Sequence, residues 1–351
     1  MTIQENIPLA PYTTLQVGGC ARYFAEPANE KEIVEVLRWA RARSLPLFVL
    51  GGGSNLLVSD AGFQGLVLHM TLAGIETRDF DAMREGMRIY SVGAGVNWDD
   101  LVARAVEDNC AGVECLSGIP GSVGGTPVQN VGAYGQDVSE TITKVRAIDA
   151  TTLERLEFDR EACGFRYRQS RFNGVDKGRY ILTRVDFALQ PGGTPKIAYA
   201  ELQRHFSAQP GSATPTLAQA REAVLQIRRT KGMVLDEQDA DSRSAGSFFK
   251  NPVVSLAEYE RIAAASTLAV PHFEAGAGQV KLAAAWLIEQ AGVGKGFALG
   301  PAAISSKHTL ALINLGGATA ADILRLKELV QQRVRQRFSV ELQPEPVMLG
   351  F

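Results

Sequence analysis

Histidine and cysteine are scarce, with four of each in 351 residues. Cys20, Cys110, Cys115 and Cys163 form no Cys-x-x-Cys pair, so zinc-ligand spacing is missing and no metal site is expected. The thiols read as those of a reduced, cytoplasmic protein. A basic excess is also missing: 36 Lys and Arg face 38 Asp and Glu, a formal net charge of −2. A broad nucleic-acid surface is thereby disfavoured. No apolar run is long enough to span a membrane. The start, Met-Thr-Ile-Gln-Glu-Asn, lacks the basic-then-apolar order of a signal peptide. Internal repeats and low-complexity segments are absent too. What is present is 46% hydrophobic and 21% charged, ordinary for a soluble chain long enough for two or three domains and an ample core.

Two glycine-dense stretches organise the rest. Residues 46–58 read Pro-Leu-Phe-Val-Leu-Gly-Gly-Gly-Ser-Asn-Leu-Leu-Val. The run 47–50 predicts a buried strand that empties into the turn Gly51, Gly52, Gly53, Ser54, Asn55. Glycines let several backbone N–H groups share one concavity, which suits a phosphate or diphosphate. A plain tight turn between strands is the competing reading. The second stretch, 117–135, carries almost no charge and several apolar residues, among them Ile119, Val123, Val128 and Val131. A solvated linker would be more polar. An irregular buried loop against something flat, large and partly apolar fits better. Two such loops suggest a dinucleotide held along its length.

Periodicity places these loops in an α/β framework. A strand is expected at 22–26, then a helix capped by Asn29 with Glu32 completing a capping box, then strands at 47–50 and 65–70. The turn at 51–55 lies at the carboxyl end of a strand, where ligands tend to bind in open α/β sheets. The pattern weakens over 71–87, and a domain boundary is placed there. Beyond it come a strand at 88–92, a helix at 98–109 capped by Asn97, strands at 144–149 and 153–158 joined as a hairpin, and a strand at 180–189. Between the first two lies Gly93-Ala-Gly95-Val-Asn-Trp98. This is a dinucleotide fingerprint without its third glycine, and it reads as a strand–helix turn. A helix over 217–231, capped by Thr216 or Thr214, precedes a polar loop at 236–244. Helices at 256–264, 281–291 and 320–337 and strands at 309–315 and 340–342 complete the pattern.

Five stretches then stand in a telling order: Gly51-Gly-Gly-Ser-Asn55; Gly118-Ile-Pro-Gly-Ser-Val-Gly-Gly125 with Val128-Gln-Asn-Val-Gly-Ala-Tyr-Gly135; Tyr167-Arg168-Gln-Ser170; Gly246-Ser-Phe-Phe-Lys-Asn-Pro252; and Pro344-Glu345. Together they resemble the UDP-N-acetylenolpyruvoylglucosamine reductase family over essentially the whole chain. Three departures stand out. The Thr14 region reads Tyr-Thr-Thr-Leu, Thr126 stands where a small residue is usual, and Glu345 is followed by Pro346, which removes an N–H.

The resemblance implies an α+β flavoprotein. It would have a vanillyl-alcohol-oxidase-type FAD-binding region in two parts, 1–70 and 71–205, and a C-terminal α+β substrate-binding domain at 206–340. The tail 340–351 would return to the active site. The implied reaction reduces an enolpyruvyl ether to a lactyl ether with NADPH by way of dissociable FAD. Hydride reaches the terminal methylene carbon, and negative charge develops on the adjacent carbon and its carboxylate. Arg168 is then implied as the carboxylate's bidentate cation, Ser247 as the acid and Glu345 as a hydrogen-bonding partner of the intermediate. Left to itself, Arg168 reads as a surface ion-pair residue, Ser247 as a turn serine and Glu345 as an exposed terminal carboxylate.

For the flavin the resemblance implies Gly51, Gly52, Gly53, Ser54, Asn55, Ile119, Gly121, Gly125, Asn130 and Gly132. For the UDP-sugar it implies Tyr199, Lys231, Asn251 and Lys281, and it implies a monomer. His69 ends an apolar strand and reads as a core or rim histidine. Another flavin oxidoreductase of the same fold, acting on a hydroxy acid or sugar, is one alternative. A nucleotide-sugar binding protein that has lost catalysis is another.

Overall fold

The computed structural model describes residues 2–79, 86–207, 214–276 and 278–351. Contacts group the chain into two compact units: 1–7, 21–52 and 64–229 form the first, and 8–20, 53–63 and 230–351 the second. The sequence divides at consecutive positions; compactness instead sends two short early segments to the second unit and keeps the helix Leu217–Thr230 almost wholly in the first. Residues 80–85, inside the stretch used to place the first boundary, lie outside the described residues.

The first unit holds two sheets. One has the strand order Ile3–Pro8, Cys20–Ala25, Phe63–His69, Leu47–Leu50, and its last two strands run parallel. The helix Glu30–Arg41 packs Ile33, Val36, Leu37 and Ala40 into the same core as Leu66, Leu68 and Met70. Asn29 caps it through Glu32 N–H at 3.0 Å. The Glu32 carboxylate turns to Ala28 N–H and the Asn29 amide rather than closing the box on the Asn29 backbone.

The second sheet is antiparallel, in the order Arg155–Asp159, Ile142–Asp149, Tyr180–Pro191, Arg88–Gly93, Ile75–Asp79. Its apolar face meets the helix Trp98–Glu107 and the loop apolar residues Val123 and Val138. Its polar face carries Asp186, only 2% exposed. Arg146 grips Asp186 with two bonds of 3.2 and 3.1 Å, and Ser91 donates to it at 2.6 Å. A cavity of about 350 Å³ opens there, lined by Glu76, Thr77, Arg78, Ser91, Arg146 and Arg184. Its arginines are committed to Asp186, Glu76 and Glu157, so it is an ion-pair network on a solvated sheet face.

The second unit is built on the antiparallel sheet Ser244–Ser247, Ala311–Asn314, Ala302–Ile304, Ala298–Leu299 and a three-stranded sheet of Val253–Ser255, Gln279–Leu282 and His272–Glu274. The helix Ala320–Phe338, capped by Thr319 and Asp322 in a full capping box, lays Ile323, Leu326, Val330 and Val334 on their shared core. Two expectations are corrected here. Lys281 lies in the strand Gln279–Leu282 and the helix begins only at Ala284, because the β-branched and long residues before it pair with Val253 and Phe273. The late strand is Val347–Leu349, parallel to Leu56–Val58. Val340 and Leu342 are buried in the core without forming a strand.

Candidate active site

In the first unit the two glycine stretches meet. A Cβ on Gly52 would lie 2.6 Å from the Gly121 Cα, and one on Gly51 would lie 2.5 Å from Ser122 Oγ. The Gly52 contact is with backbone and requires glycine for the close approach of the loops, whereas the Gly51 contact is with a side-chain end. The loop 121–124 is pinned along the turn after the strand Arg88–Gly93: Val123 and Gly124 N–H groups donate to Val96 and Ala94, each at 2.8 Å, and Trp98 N–H donates to Gly121. The turn at Gly93 therefore serves as a bed for the second loop. Among the described residues, Ser122 Oγ is buried with no hydrogen-bond partner. A buried hydroxyl without a partner costs about 1–3 kcal/mol, so its neighbourhood is built for a polar group supplied from outside. A cradle only glycines fill, with an orphaned hydroxyl in it, fits the phosphate-bearing part of a dinucleotide such as FAD.

Further along the loop, Asn130 sits at φ +47°. Its side chain accepts from Ser139 N–H and donates to the Arg166 carbonyl. Arg168, at φ +53°, donates to the Gly132 carbonyl at 2.6 Å and to the Asn130 carbonyl at 3.5 Å. Its own carbonyl is held by Asn173, and Ser170 Oγ donates to the Val128 carbonyl at 2.6 Å. The Tyr-Arg-x-Ser stretch is thus a clasp on the second glycine loop. The neighbour Arg171 pairs with Asp176 at 2.7 Å. Near Arg168, burial pushes the Asp137 carboxyl up, and the guanidinium only partly offsets this. Ile119 packs against the core of this unit. Gly125 is open, with nothing nearer to its Cβ position than Ser122 Oγ at 4.0 Å. Tyr199 stacks edge-on to Tyr134 at 5.5 Å.

A further anchor was not legible in the sequence. Asp99 accepts from Gly118 N–H at 2.6 Å and takes a two-pronged grip from Arg221 at 2.6 and 2.8 Å. Burial works against its charge, but the Arg221 fork and the Gly118 N–H outweigh it and hold the carboxyl below its usual range. Its folded pKa lies below the unfolded value of about 3.9. The stabilisation is therefore present at neutral pH and is lost as pH falls through the folded pKa. Asp99→Asn is expected to cost about 1–2 kcal/mol at pH 7 and progressively less below about pH 4. Thermal midpoints of both proteins across that range check it; a gap that stays constant into acid would refute the charge argument.

The second unit holds the other candidates. Gly53 sits at φ +60°, and a Cβ there would be 1.9 Å from the Tyr12 carbonyl oxygen. Thr14, from the stretch that departs from the family pattern, donates its hydroxyl to the Ser244 carbonyl at 2.6 Å. Ser54 and Asn55 follow in the turn, and Asn55 accepts from Val347 N–H at 2.9 Å. Ser247 pairs with Ala311 at the end of a strand whose register shifts between Ser244 and Ser247, with Gly246 at φ +73°. Such a shift re-aims the next side chain. Phe248 and Phe249 are fully buried and hold the segment down. Glu345 N–H donates to the Phe248 carbonyl at 2.9 Å, and Lys250 N–H to the Gln343 carbonyl at 3.0 Å. The tail is therefore laid alongside Ser247, with Phe249 and Pro344 bridged. Pro346 costs nothing here: the N–H groups used are those of Glu345 and Val347, and it sits between them.

Asn251 Oδ1 caps the helix Ala284–Gln290 through Ala284 N–H at 3.0 Å. Lys281 lies over the Phe273 ring, and Lys231 follows the helix Leu217–Thr230. His308 Nε2 lies 3.3 Å from Ser247 Oγ. Sequence reasoning missed this histidine, although its type is one of the rarest in the chain. His69 pairs with Glu26 at 2.8 Å. Burial pushes the Cys115 and Cys163 thiols up to about 12, so neither is a nucleophile near neutral pH.

Residues 21–153 match the family described as FAD binding domain, and residues 238–349 match UDP-N-acetylenolpyruvoylglucosamine reductase, C-terminal domain. The chain is 46% identical to UDP-N-acetylenolpyruvoylglucosamine reductase of Thermobifida fusca, covering 99% of this chain and 98% of the relative. It is 46% identical to the protein of that name in Streptomyces coelicolor, covering 99% and 91%. The crystal structure of UDP-N-acetylenolpyruvylglucosamine reductase from Thermus caldophilus superposes with a TM-score of 0.67 at 26% identity, over 99% of this chain and all of that one. Both glycine loops, Ser247, Asn251, Lys281 and Glu345 fall inside the two matched segments; Arg168, Tyr199 and Lys231 fall between them.

Proposed function

The chain belongs to the UDP-N-acetylenolpyruvoylglucosamine reductase family, and we propose that Arg168, Ser247 and Glu345 are the side chains through which it does this chemistry. It is an FAD-dependent oxidoreductase that uses NADPH to reduce the enolpyruvyl group of UDP-N-acetyl-3-O-(1-carboxyvinyl)-glucosamine, giving UDP-N-acetylmuramate for peptidoglycan synthesis. FAD supplies the two-electron relay between the nicotinamide and the enol ether carbon. Gly51, Gly52, Gly121 and the Ser122 hydroxyl would hold its phosphate-bearing part, and Asn130 and Gly132 would shape the loop beside it. Gly53, Ser54, Asn55, Ile119 and Gly125 belong to the same assignment.

Hydride arriving at the methylene carbon leaves an electron pair on the adjacent carbon, spread into its carboxylate. Arg168 offsets that charge with a planar, delocalised cation. Loop carbonyls hold the guanidinium, so it need not reorganise as the charge forms. Ser247 gives its proton to the carbon. Glu345 hydrogen-bonds the enolic form. Tyr199, Lys231, Asn251 and Lys281 take the UDP half. The observation that carries this reading is the main-chain ladder between 248–250 and 343–345, which supports Ser247 and Glu345 acting on one substrate. No described helix is long and apolar enough to cross a membrane, and a cytoplasmic monomer is the proposed form.

The test is spectroscopic and anaerobic. NADPH should bleach the flavin band, and the enolpyruvyl nucleotide sugar alone should restore it. A flavin restored by oxygen or a hydroxy acid but not by the sugar would move the assignment to an oxidase of the same fold.

A further inference from the structure

A serine that protonates carbon is left as an alkoxide and must recover a proton in every turnover. Its hydroxyl is also a weak acid in water. Ser247 therefore needs a neighbour, and the structure supplies one. His308 Nε2 lies 3.3 Å from Ser247 Oγ, at the long end of hydrogen bonding and within the slack that closes when substrate binds.

The histidine is fixed from several sides. Ser305 Oγ accepts the N–H groups of Lys307 and His308, each at 3.0 Å. Ser306 donates to Asp241 from its N–H and its hydroxyl, each at 2.8 Å. Lys307 donates to Asp239 at 2.7 Å, and Ala311 N–H donates to the His308 carbonyl at 3.0 Å. That last bond ties the turn to the strand Ala311–Asn314, which pairs with the strand of Ser247. A turn pinned this heavily keeps one side chain in one place, as proton transfer requires.

We infer that His308 is the positioning residue that orients the Ser247 hydroxyl and returns its proton, a role that rests on Ser247 being the donor. In the step, the Oγ–H bond of Ser247 breaks and a C–H bond forms on the carbon beside the carboxylate. The Nε2–H bond of protonated His308 breaks as Oγ–H reforms, leaving a neutral imidazole that solvent reprotonates. Charge and protons balance with no further reactant.

Among the described residues, the charged groups on the surrounding elements include Asp236, Asp239, Asp241 and Lys307 at the turn, Arg243 bonded to Asn314 and Leu315, Glu289 bound by Thr309, Lys231 before the Gly232 that abuts Asp241, and Lys250 and Glu345 on the paired segments. Burial pushes Asp241 up, but Ser305 and Ser306 outweigh it and hold the carboxyl below its usual range. The bond to Asp239 raises Lys307. Asp241 and Lys307 therefore stay charged through neutral pH. An alkaline limb that disappears with the ring reports the imidazole.

The experiment compares wild type, Ser247→Ala, His308→Ala and His308→Gln in anaerobic stopped flow. It separates flavin reduction by NADPH from reoxidation by the enolpyruvyl sugar, across pH. Both His308 variants should reduce within about twofold of wild type and reoxidise about 10–100-fold more slowly. The alkaline fall of reoxidation should vanish with the ring. A readout independent of turnover is the NMR titration of the His308 ring, whose midpoint should move in Ser247→Ala. Glutamine keeps the polarity and bulk, so a folding defect in the alanine variant does not obscure the result. His308→Gln that reoxidises like wild type with an unchanged pH limb, beside an inactive Ser247→Ala, overturns this inference alone. A rise in KM for the sugar with kcat intact also overturns it, since that is uniform binding. A Ser247→Ala that reoxidises normally overturns the serine assignment, and this inference with it.

Discussion

Ser247→Ala should let NADPH bleach the flavin at close to the wild-type rate and slow its reoxidation by the sugar about 10²–10⁴-fold. The two half-reactions separate because the proton is needed only in the second. Hydride transfer to the methylene carbon leaves a carbanion stabilised by its carboxylate, and without a donor that step runs backwards more easily than forwards. Deleting one oxygen from a partly exposed strand end removes little packing. The phenylalanines after it stay fully buried, and the ladder to the tail uses backbone atoms only. Fold and sugar affinity should therefore survive, and the loss should fall on kcat, as for an interaction made in the transition state. Single-turnover traces with both substrates, together with a thermal melt, decide it. Equal slowing of both half-reactions would point to a disturbed flavin and remove Ser247 from the donor role.

Much of the framework was legible because local rules and tertiary packing agreed. The strand Leu47–Leu50 and the helix Leu256–Ala264 stand where period and flanking residues put them. Asn97 caps its helix through Asp99 and Asp100 N–H as its type predicts. The failures have a common cause. The strand Gln279–Leu282 runs directly into an apolar helix, and the two periods merge into one apparent helix. The final strand is specified by a partner far away in sequence, Leu56–Val58, which no local pattern announces.

The same holds at the site. The glycine loops could be found from composition, but their mutual approach through Gly52 and Gly121 could not. His308 stands in an unremarkable Ser-Ser-Lys-His turn and gains meaning only from the fold that sets it against Ser247. Asp99 looks like a helix first-turn acid; its bonds to Gly118 and Arg221 depend on elements distant in the chain.

Gly52→Ala should yield protein that folds and does not hold FAD. A Cβ at each of the three adjacent glycines would meet a different neighbour, and this separates their substitutions. A Cβ on Gly53 strikes the Tyr12 carbonyl oxygen at 1.9 Å from a left-handed backbone, so Gly53→Ala is a folding lesion. A Cβ on Gly51 meets Ser122 Oγ at 2.5 Å, the end of a side chain that can rotate away, so Gly51→Ala should weaken flavin binding only a few-fold. A Cβ on Gly52 meets backbone: the Gly121 Cα at 2.6 Å, its carbonyl carbon at 2.9 Å and Ser122 N at 3.1 Å. No rotamer relieves that contact, so the loops must part. Overpacking of this kind costs about 1–3 kcal/mol. The 121–124 side is already pinned to Ala94, Val96 and Trp98, so the displacement falls on the turn at 51–52 and spoils the cradle around Ser122. The flavin Kd should rise at least tenfold, about 1.4 kcal/mol or more, while the melting midpoint of the flavin-free protein moves by only a few degrees. Flavin retained after desalting, and titration of the apoprotein with FAD, read this directly. A Gly52→Ala protein that stays yellow with wild-type affinity would mean that the close-packed loops at 51–52 and 121–122 do not hold the cofactor.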